Sequence, residues 1–151
     1  MISIAPTTPR DPATRALLKA SHALMGSLFP AEANHFLDLD ALDADNIRLF
    51  AARDGRATLA TGALAVKDGY GDVKSMFTAP RARGKGAAAA LLKHIEDTAR
   101  ALDLPVLRLE TGAGLDAAHR LYVRHGFAPR GPFGDYPDSL YSLFMEKPLA
   151  E

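Results

Sequence analysis

The chain has 151 residues, 48% of them apolar, which is enough to bury one proper core, and we expect a single domain over residues 1–151. Its 18 basic and 18 acidic residues give a formal net charge of zero, which argues against a general nucleic-acid binder. The sequence contains no cysteine, which excludes disulfides, thiolate metal sites and a cysteine-linked acyl-enzyme. Since no stretch has a signal-peptide pattern or membrane-spanning length, we expect a soluble cytoplasmic protein without a membrane partner.

The first part of the chain predicts a strand followed by helices. Residues 2–5 are a short strand candidate. Asp11 and Pro12 then supply an N-cap and a first-turn proline for an amphipathic helix that should end near Phe29. Residues 31–42 mix apolar and acidic positions and suggest a second, shorter helix.

Antiparallel strands are predicted next. Residues 47–53 and 58–66 are strand candidates separated by Asp54-Gly55, a dipeptide suited to a tight hairpin turn. A second turn at residues 67–71 leads into a further strand. We therefore expect a meander of antiparallel strands before the centre of the chain.

The central stretch, residues 72–102, predicts a strand, a glycine turn and a helix. Alternation in the strand places one set of side chains opposite another: Val73, Ser75 and Phe77 against Asp72, Lys74, Met76 and Thr78. Behind the turn, apolar residues from Ala88 to Leu102 recur at helical spacing.

The glycine turn has the properties of an anion-binding loop. Gly84 and Gly86 let the backbone approach a ligand closely, and three cations stand beside them: Arg81, Arg83 and Lys85. The amides of residues 86–89 begin the helix, where the peptide dipoles favour negative charge. The Walker and dinucleotide-binding patterns are both absent, so the loop predicts a phosphate ligand without specifying which one.

The last third predicts a strand at residues 105–111, a helix at 116–125 that ends at Gly126, and closing strands at 127–130 and 139–146. The order strand, helix, strand calls for a parallel, right-handed crossover.

Two motifs together resemble the GNAT superfamily of acyl-CoA-dependent N-acetyltransferases. The first is Arg-x-x-Gly-x-Gly at residues 81–86, and the second is Leu-Tyr-x-x-x-Gly-Phe at residues 121–127. The resemblance implies a single α+β domain with a mixed, mostly antiparallel sheet of about six to seven strands. It also implies helices on both faces of the sheet and a parallel strand pair that splays apart.

The resemblance implies acetyl-CoA as cosubstrate and no metal. The pyrophosphate is expected at the amides of residues 83–88, and the pantetheine arm along the edge of the strand at residues 72–78. The cofactor-binding residues that we predict are Met76, Thr78, Arg81, Arg83, Gly84, Lys85, Gly86, Ala87 and Ala88.

Three side chains are candidates for the chemistry of transfer to an amine. The resemblance makes Tyr122 the acid that protonates the departing thiolate. Glu110 is the first candidate for the base, with Asp72 the second and a water chain a further possibility. Leu115 stands where the family commonly has asparagine, so that cofactor contact is lost or is supplied from another position.

The acceptor side is predicted from the helices before the sheet and from an aromatic loop at residues 131–138. Its candidates are His35, Phe133 and Tyr136 as walls, with Asp135 or Asp138 attracting an ammonium group. We expect a small amine, an amino acid or a peptide amino end as acceptor, and a homodimer is common among such proteins. The alternative is a module of the same fold that binds acyl-CoA without turnover.

Overall fold

A seven-stranded mixed sheet organises the fold in the computed structural model, which describes residues 1–31 and 38–149. The strands are β1 (Ile2–Pro6), β2 (Ile47–Asp54), β3 (Ala57–Lys67), β4 (Tyr70–Thr78), β5 (Val106–Gly112), β6 (Ala128–Arg130) and β7 (Ser142–Pro148). The helices are α1 (Pro12–Leu28), α2 (Ala87–Ala101) and α3 (Asp116–Arg124), and single 3₁₀ turns occupy Ala41–Asp43 and Pro80–Ala82.

The strand order in the sheet is β1-β2-β3-β4-β5-β7-β6. Strands β4 and β5 run parallel, and their neighbours pair antiparallel. The parallel register joins Gly71 to Leu107, Asp72 to Arg108 and Val73 to Leu109, and it stops there. The two strands therefore splay apart beyond Val73, which confirms the predicted fold class and its open parallel pair.

Helices cover both faces of this sheet. Leu18 of α1 packs against Leu49 and Ala63, whereas Leu91 of α2 belongs to the cluster that contains Leu64. Since successive strand residues point to opposite faces, α1 and α2 lie on opposite sides of β3.

The start of α1 confirms the predicted cap. The Asp11 carboxylate accepts a hydrogen bond from the Thr14 amide at 3.0 Å, and Pro12 occupies the first helical position. Proline has no backbone N–H, but an N–H at this position would have no partner within the helix. Pro12 therefore costs the helix no hydrogen bond.

A bulge interrupts β4. The register pairs Thr61 with Phe77 but Ala63 with Lys74, so β4 contains one residue more than β3 over this span. Ser75 lies in this bulge. Its φ of 56° is a left-handed conformation that is uncommon for a residue with a Cβ.

The bulge reverses which side chains of β4 face each helix. Met76 faces α2, because its sulfur lies 2.6 Å from the position of an added Cβ at Gly62. Phe77 instead lies beside Leu17 on the α1 side. The sequence prediction that grouped Phe77 with Val73 is therefore wrong, because strict alternation does not allow for an inserted residue.

The end of the chain follows the prediction with one shift. Helix α3 ends as expected, with Gly126 at φ of 92° beyond its C-terminus. Strand β7 begins at Ser142 rather than at the predicted Ser139, and it inserts between β5 and β6. A turn joins Ser139 to Ser142 through a backbone hydrogen bond of 3.3 Å, which delays the start of the strand.

Most of the helix predicted at residues 31–42 lies outside the described residues, as does His35. The described part of that stretch contains the 3₁₀ turn at Ala41–Asp43. Among the helices in residues 1–31 and 38–149, none has both the length and the hydropathy needed to cross a bilayer.

Candidate active site

A cleft of about 140 Å³ opens where β4 and β5 separate. Strand β4 contributes Lys74, Ser75 and Met76 to its walls, and β5 contributes Glu110 and Thr111. These residues follow directly after the last parallel pair, so the splay of the two strands creates the opening.

The cleft passes through the sheet and reaches both of its faces. Met25 and Phe29, from α1 and the residue after it, line the cleft on one face. Ala118 and Tyr122 of α3 line it on the other. Two ligands can therefore approach the same opening from opposite sides of the sheet.

The loop before α2 presents free backbone amides. None of the amides of residues 84–89 donates to an acceptor in the part of the chain that the structure describes, and the helix has no side-chain cap. Gly84 and Gly86 have φ of 81° and 87°, and a Cβ added at either would meet no atom within 4 Å. Arg83 and Lys85 are exposed nearby. The helix start is thus open, as the sequence predicted, and binding of an anion there stays a prediction.

The remaining predicted cofactor residues lie around this loop and along β4. The Arg81 guanidinium reaches the Thr58 carbonyl at 3.5 Å, and Thr78 ends β4. Met76 lines the cleft itself. The path from the loop to the cleft therefore follows the second half of β4.

Tyr122 is buried, with 6% of its surface exposed, and it lines the cleft. Its ring packs edge-on against Phe127 at 5.7 Å. Its hydroxyl has no hydrogen-bond partner among residues 1–31 and 38–149. Burial and the nearby Glu110 charge raise the pKa of this phenol above its usual value, so it keeps its proton at neutral pH.

Glu110 lines the same cleft from β5 and accepts a hydrogen bond from the Ser142 hydroxyl at 2.7 Å. Arg108 and Arg53 pair with other carboxylates. Arg108 lies 3.3 Å from Glu146, and Arg53 lies 3.6 Å from Asp11. The Glu110 carboxylate is thus held at the wall of the cleft by a hydroxyl.

Asp72 lies behind the cleft rather than on it, with 2% of its surface exposed. One carboxylate oxygen accepts from the Tyr136 hydroxyl at 2.9 Å and lies 3.5 Å from the Lys74 ammonium. The other oxygen has no partner within the described ranges. Burial raises the pKa of Asp72, and the Lys74 charge only partly offsets it.

The loop at residues 131–138 packs over the sheet instead of facing the cleft. Phe133 is 6% exposed and contacts Tyr70 and Phe144 edge-on, at ring distances of 5.6 and 5.8 Å. Tyr136 lies against Phe133 at 5.1 Å, while Asp135 is exposed. The structure thus groups Phe133 and Tyr136 with Asp72, and it does not bring them to the cleft walls with Tyr122.

Sequence reasoning missed two features of the cleft. Lys74 was assigned only to a strand face, and no local pattern distinguishes it from a surface lysine. Tyr141 was predicted only as part of a strand. It lines the cleft, and its ring contacts that of Phe29 edge-on at a centroid distance of 6.4 Å. Both positions depend on how β4, β5 and β7 assemble.

In the described ranges, no group of three or more His, Asp or Glu side chains could hold a metal ion. Two of the described histidines have other contacts. His94 packs edge-on against Phe50 at 4.6 Å, and His119 lies 2.9 Å from the Gly112 carbonyl.

A splayed parallel pair that follows a strand leading into an open glycine loop is the arrangement expected of acyl-CoA-dependent N-acyltransferases, and comparison with known proteins supports this class. The model of the acetyltransferase (GNAT) family matches residues 14–127. An IAA acetyltransferase from Azospirillum brasilense is 45% identical over 150 residues, which cover 98% of each chain. The chain therefore belongs to the GNAT family of acetyltransferases.

Solved structures agree with this assignment. A Klebsiella pneumoniae protein provisionally described as an acyl-CoA N-acyltransferase is 33% identical, with a TM-score of 0.86 over 99% of this chain and 98% of its own. A GNAT family acetyltransferase from Elizabethkingia anophelis, solved with acetyl-CoA bound, shares the fold. Its TM-score is 0.67 at 18% identity, and the match covers 97% of each chain.

Proposed function

We propose that this enzyme transfers an acetyl group from acetyl-CoA to a primary amine by direct attack in a ternary complex. The acceptor is a small amine, an amino acid or a peptide amino end. The observation that carries the proposal is the cleft through the sheet, which is lined by both Tyr122 and Glu110. The bound acetyl-CoA of the Elizabethkingia neighbour and the name of the Azospirillum relative support the choice of acyl donor and acyl group.

The donor would bind through its diphosphate and its pantetheine arm. The free amides of residues 84–89 and the charges of Arg83 and Lys85 suit a diphosphate. The second half of β4, beyond Val73, has no parallel partner, so its edge can pair with the amides of a pantetheine arm. This path delivers the thioester to the cleft.

In the reaction the amine nitrogen attacks the thioester carbonyl, a carbon–nitrogen bond forms, and the carbon–sulfur bond breaks. Tyr122 supplies a proton to the departing thiolate. Its raised pKa keeps the phenol protonated, and its residue lines the cleft with a hydroxyl that has no hydrogen-bond partner in the described ranges. A tyrosine with its hydroxyl tied to the backbone could not serve in this way.

Glu110 receives the proton that the amine must lose. A primary ammonium with a pKa near 10 is mostly protonated at neutral pH, so a base should contribute roughly 100-fold. Glu110 lines the cleft directly, whereas Asp72 is enclosed behind Tyr136. The geometry therefore favours Glu110 over Asp72, either directly or through a water molecule.

The test is release of free thiol from acetyl-CoA over a panel of amines. Tyr122→Phe should lower kcat by about 100-fold, while the affinity for coenzyme A in calorimetry stays unchanged. Tyr70→Phe, a tyrosine outside the cleft, is the matched control and should retain activity.

Two results would contradict this mechanism. Binding of acetyl-CoA without turnover of any amine would favour the alternative of a non-catalytic binding module. A stable acetylated enzyme that forms in the absence of an amine would contradict direct attack.

Location and assembly are also proposals. We propose that the enzyme works in the cytoplasm, in keeping with the pattern of the sequence, and that it forms a homodimer without a nucleic-acid partner. Light scattering of the purified protein checks the dimer.

A further inference from the structure

Lys74 contributes a positive charge to the wall of the cleft. The parallel register ends at Val73 and Leu109, so Lys74 and Glu110 are the next residues on the two strands. Both lie on the face of the sheet opposite α2, because Val73 and Leu109 belong to the cluster that packs on α2. A basic and an acidic residue therefore stand on the two sides of the opening where it begins.

This spacing suits a zwitterion. Paired strands lie about 4.8 Å apart, and the gap widens once pairing ends. The amino nitrogen and the carboxylate of an α-amino acid can occupy such a gap, with the nitrogen towards Glu110 and the carboxylate towards Lys74. A simple amine has no carboxylate to pair with Lys74.

The surroundings of Lys74 hold its ammonium in place without using all of its hydrogen-bonding capacity. The side chain is 13% exposed and contacts the Tyr136 hydroxyl, while Asp72 lies 3.5 Å away. An ammonium has three N–H donors, so at least one remains for a ligand within the described ranges. Asp72 and Tyr136 thus hold the ammonium of a residue that lines the cleft.

The walls on the same side of the sheet are apolar. Met25 and Phe29 line the cleft there, and Tyr141 packs edge-on against Phe29 at 6.4 Å. An aliphatic or aromatic side chain of the acceptor would remove these surfaces from water.

We infer that the acceptor is a free α-amino acid with an apolar side chain, whose carboxylate binds Lys74. This inference rests on the proposed function and selects among the three acceptor types given there. A peptide amino end does not qualify, because its α-carboxylate is lost in the peptide bond.

The experiment compares acceptors that differ only at the carboxylate. Phenylalanine, phenylalaninamide and phenethylamine form one set, and leucine, leucinamide and isoamylamine form a second. For each acceptor kcat/KM is measured with saturating acetyl-CoA, and the value for the amino acid is divided by that for its decarboxylated amine. This ratio does not depend on the fraction of folded enzyme.

The wild-type enzyme should prefer an amino acid in at least one set. Lys74→Met should lower the ratio by about 10- to 100-fold, which is the range for a hydrogen bond to a charged group. Lys74→Arg retains the charge and should retain most of the preference. Lys93→Met, at an exposed position on α2, should leave the ratio unchanged. Intrinsic amine reactivity cancels, because each variant is compared with wild type on the same acceptors.

Two outcomes would overturn the inference. Wild-type preference for the decarboxylated amine in both sets would exclude a carboxylate subsite while leaving the acetyltransferase activity intact. An unchanged ratio in Lys74→Met would show that Lys74 does not bind the carboxylate. If acetyl-CoA binds but no acceptor is consumed, the proposed function fails, and this inference fails with it.

Discussion

Glu96 ties α2 to the end of the sheet, and its removal should cost measurable stability. Its carboxylate lies 2.7 Å from the Lys147 ammonium and 2.8 Å from the Arg100 guanidinium, and its side chain is 7% exposed. Breaking a fully buried ion pair costs 3–5 kcal/mol, but Lys147 and Arg100 are 21% and 46% exposed, and solvent screens them. We therefore expect Glu96→Gln to lower the free energy of unfolding by about 2 kcal/mol. For a domain of this size that corresponds to a Tm about 6 °C lower.

Urea denaturation at neutral pH measures this loss, and a double-mutant cycle with Lys147→Met isolates the coupling between the two side chains. Asp97→Asn is the matched control, because Asp97 is the next residue on α2 and pairs with Lys93 at 2.9 Å with both side chains more than half exposed. Its loss should stay below about 0.5 kcal/mol. Equal losses in Glu96→Gln and Asp97→Asn would refute the reasoning.

The ion pairs of Glu96 also make the free energy of unfolding depend on pH. Burial alone would raise the pKa of Glu96, but the hydrogen bonds and charges of Lys147 and Arg100 together lower it below the usual 4.5. A carboxyl with a lowered folded-state pKa stabilises the protein above its unfolded pKa, and this stabilisation is lost as the pH falls through the folded-state value. Between about pH 6 and pH 3, Glu96→Gln should therefore lose less stability than wild type.

Two further predictions concern left-handed backbone positions. Gly86→Ala should cost about 1 kcal/mol of stability and weaken coenzyme A binding by about 10-fold, because its Cβ enters the open space over the free amides. Gly69→Ala, with φ of 83° in a turn outside the site, should show similar strain with unchanged binding in calorimetry, and equal binding losses would contradict the assignment. Asp103→Gly should raise the stability by about 0.5 kcal/mol in thermal unfolding, because Asp103 has φ of 60°, and a loss would count against strain there.

The sequence predicted the elements whose signals are local. The Asp11 cap and the helical spacing of α2 depend on neighbouring residues, and the structure confirms both. The same holds for the open loop at Gly84 and Gly86, because positive φ and free amides follow from glycine before a helix. Tyr122 was identified through a short motif within one helix, and it lies on the cleft as expected.

The errors came from features that depend on more than one strand. The inserted residue near Ser75 is defined only by the pairing of β4 with β3, so alternation within β4 could not reveal that Met76 and Phe77 exchange faces. The aromatic loop was a similar case. Phe133 packs on Tyr70 and Phe144, which are distant in sequence, and this packing takes it away from the cleft.

By itself the sequence determined the helix starts, the glycine loop, the family motifs and the chemistry that a tyrosine and a carboxylate can supply. Short-range hydrogen bonding and helical or strand periodicity fix these properties, and they are visible along a single segment. Only the tertiary structure decided that Lys74 and Glu110 both line the cleft while Asp72 is enclosed. That choice follows from where the parallel register of β4 and β5 stops, which no single segment encodes.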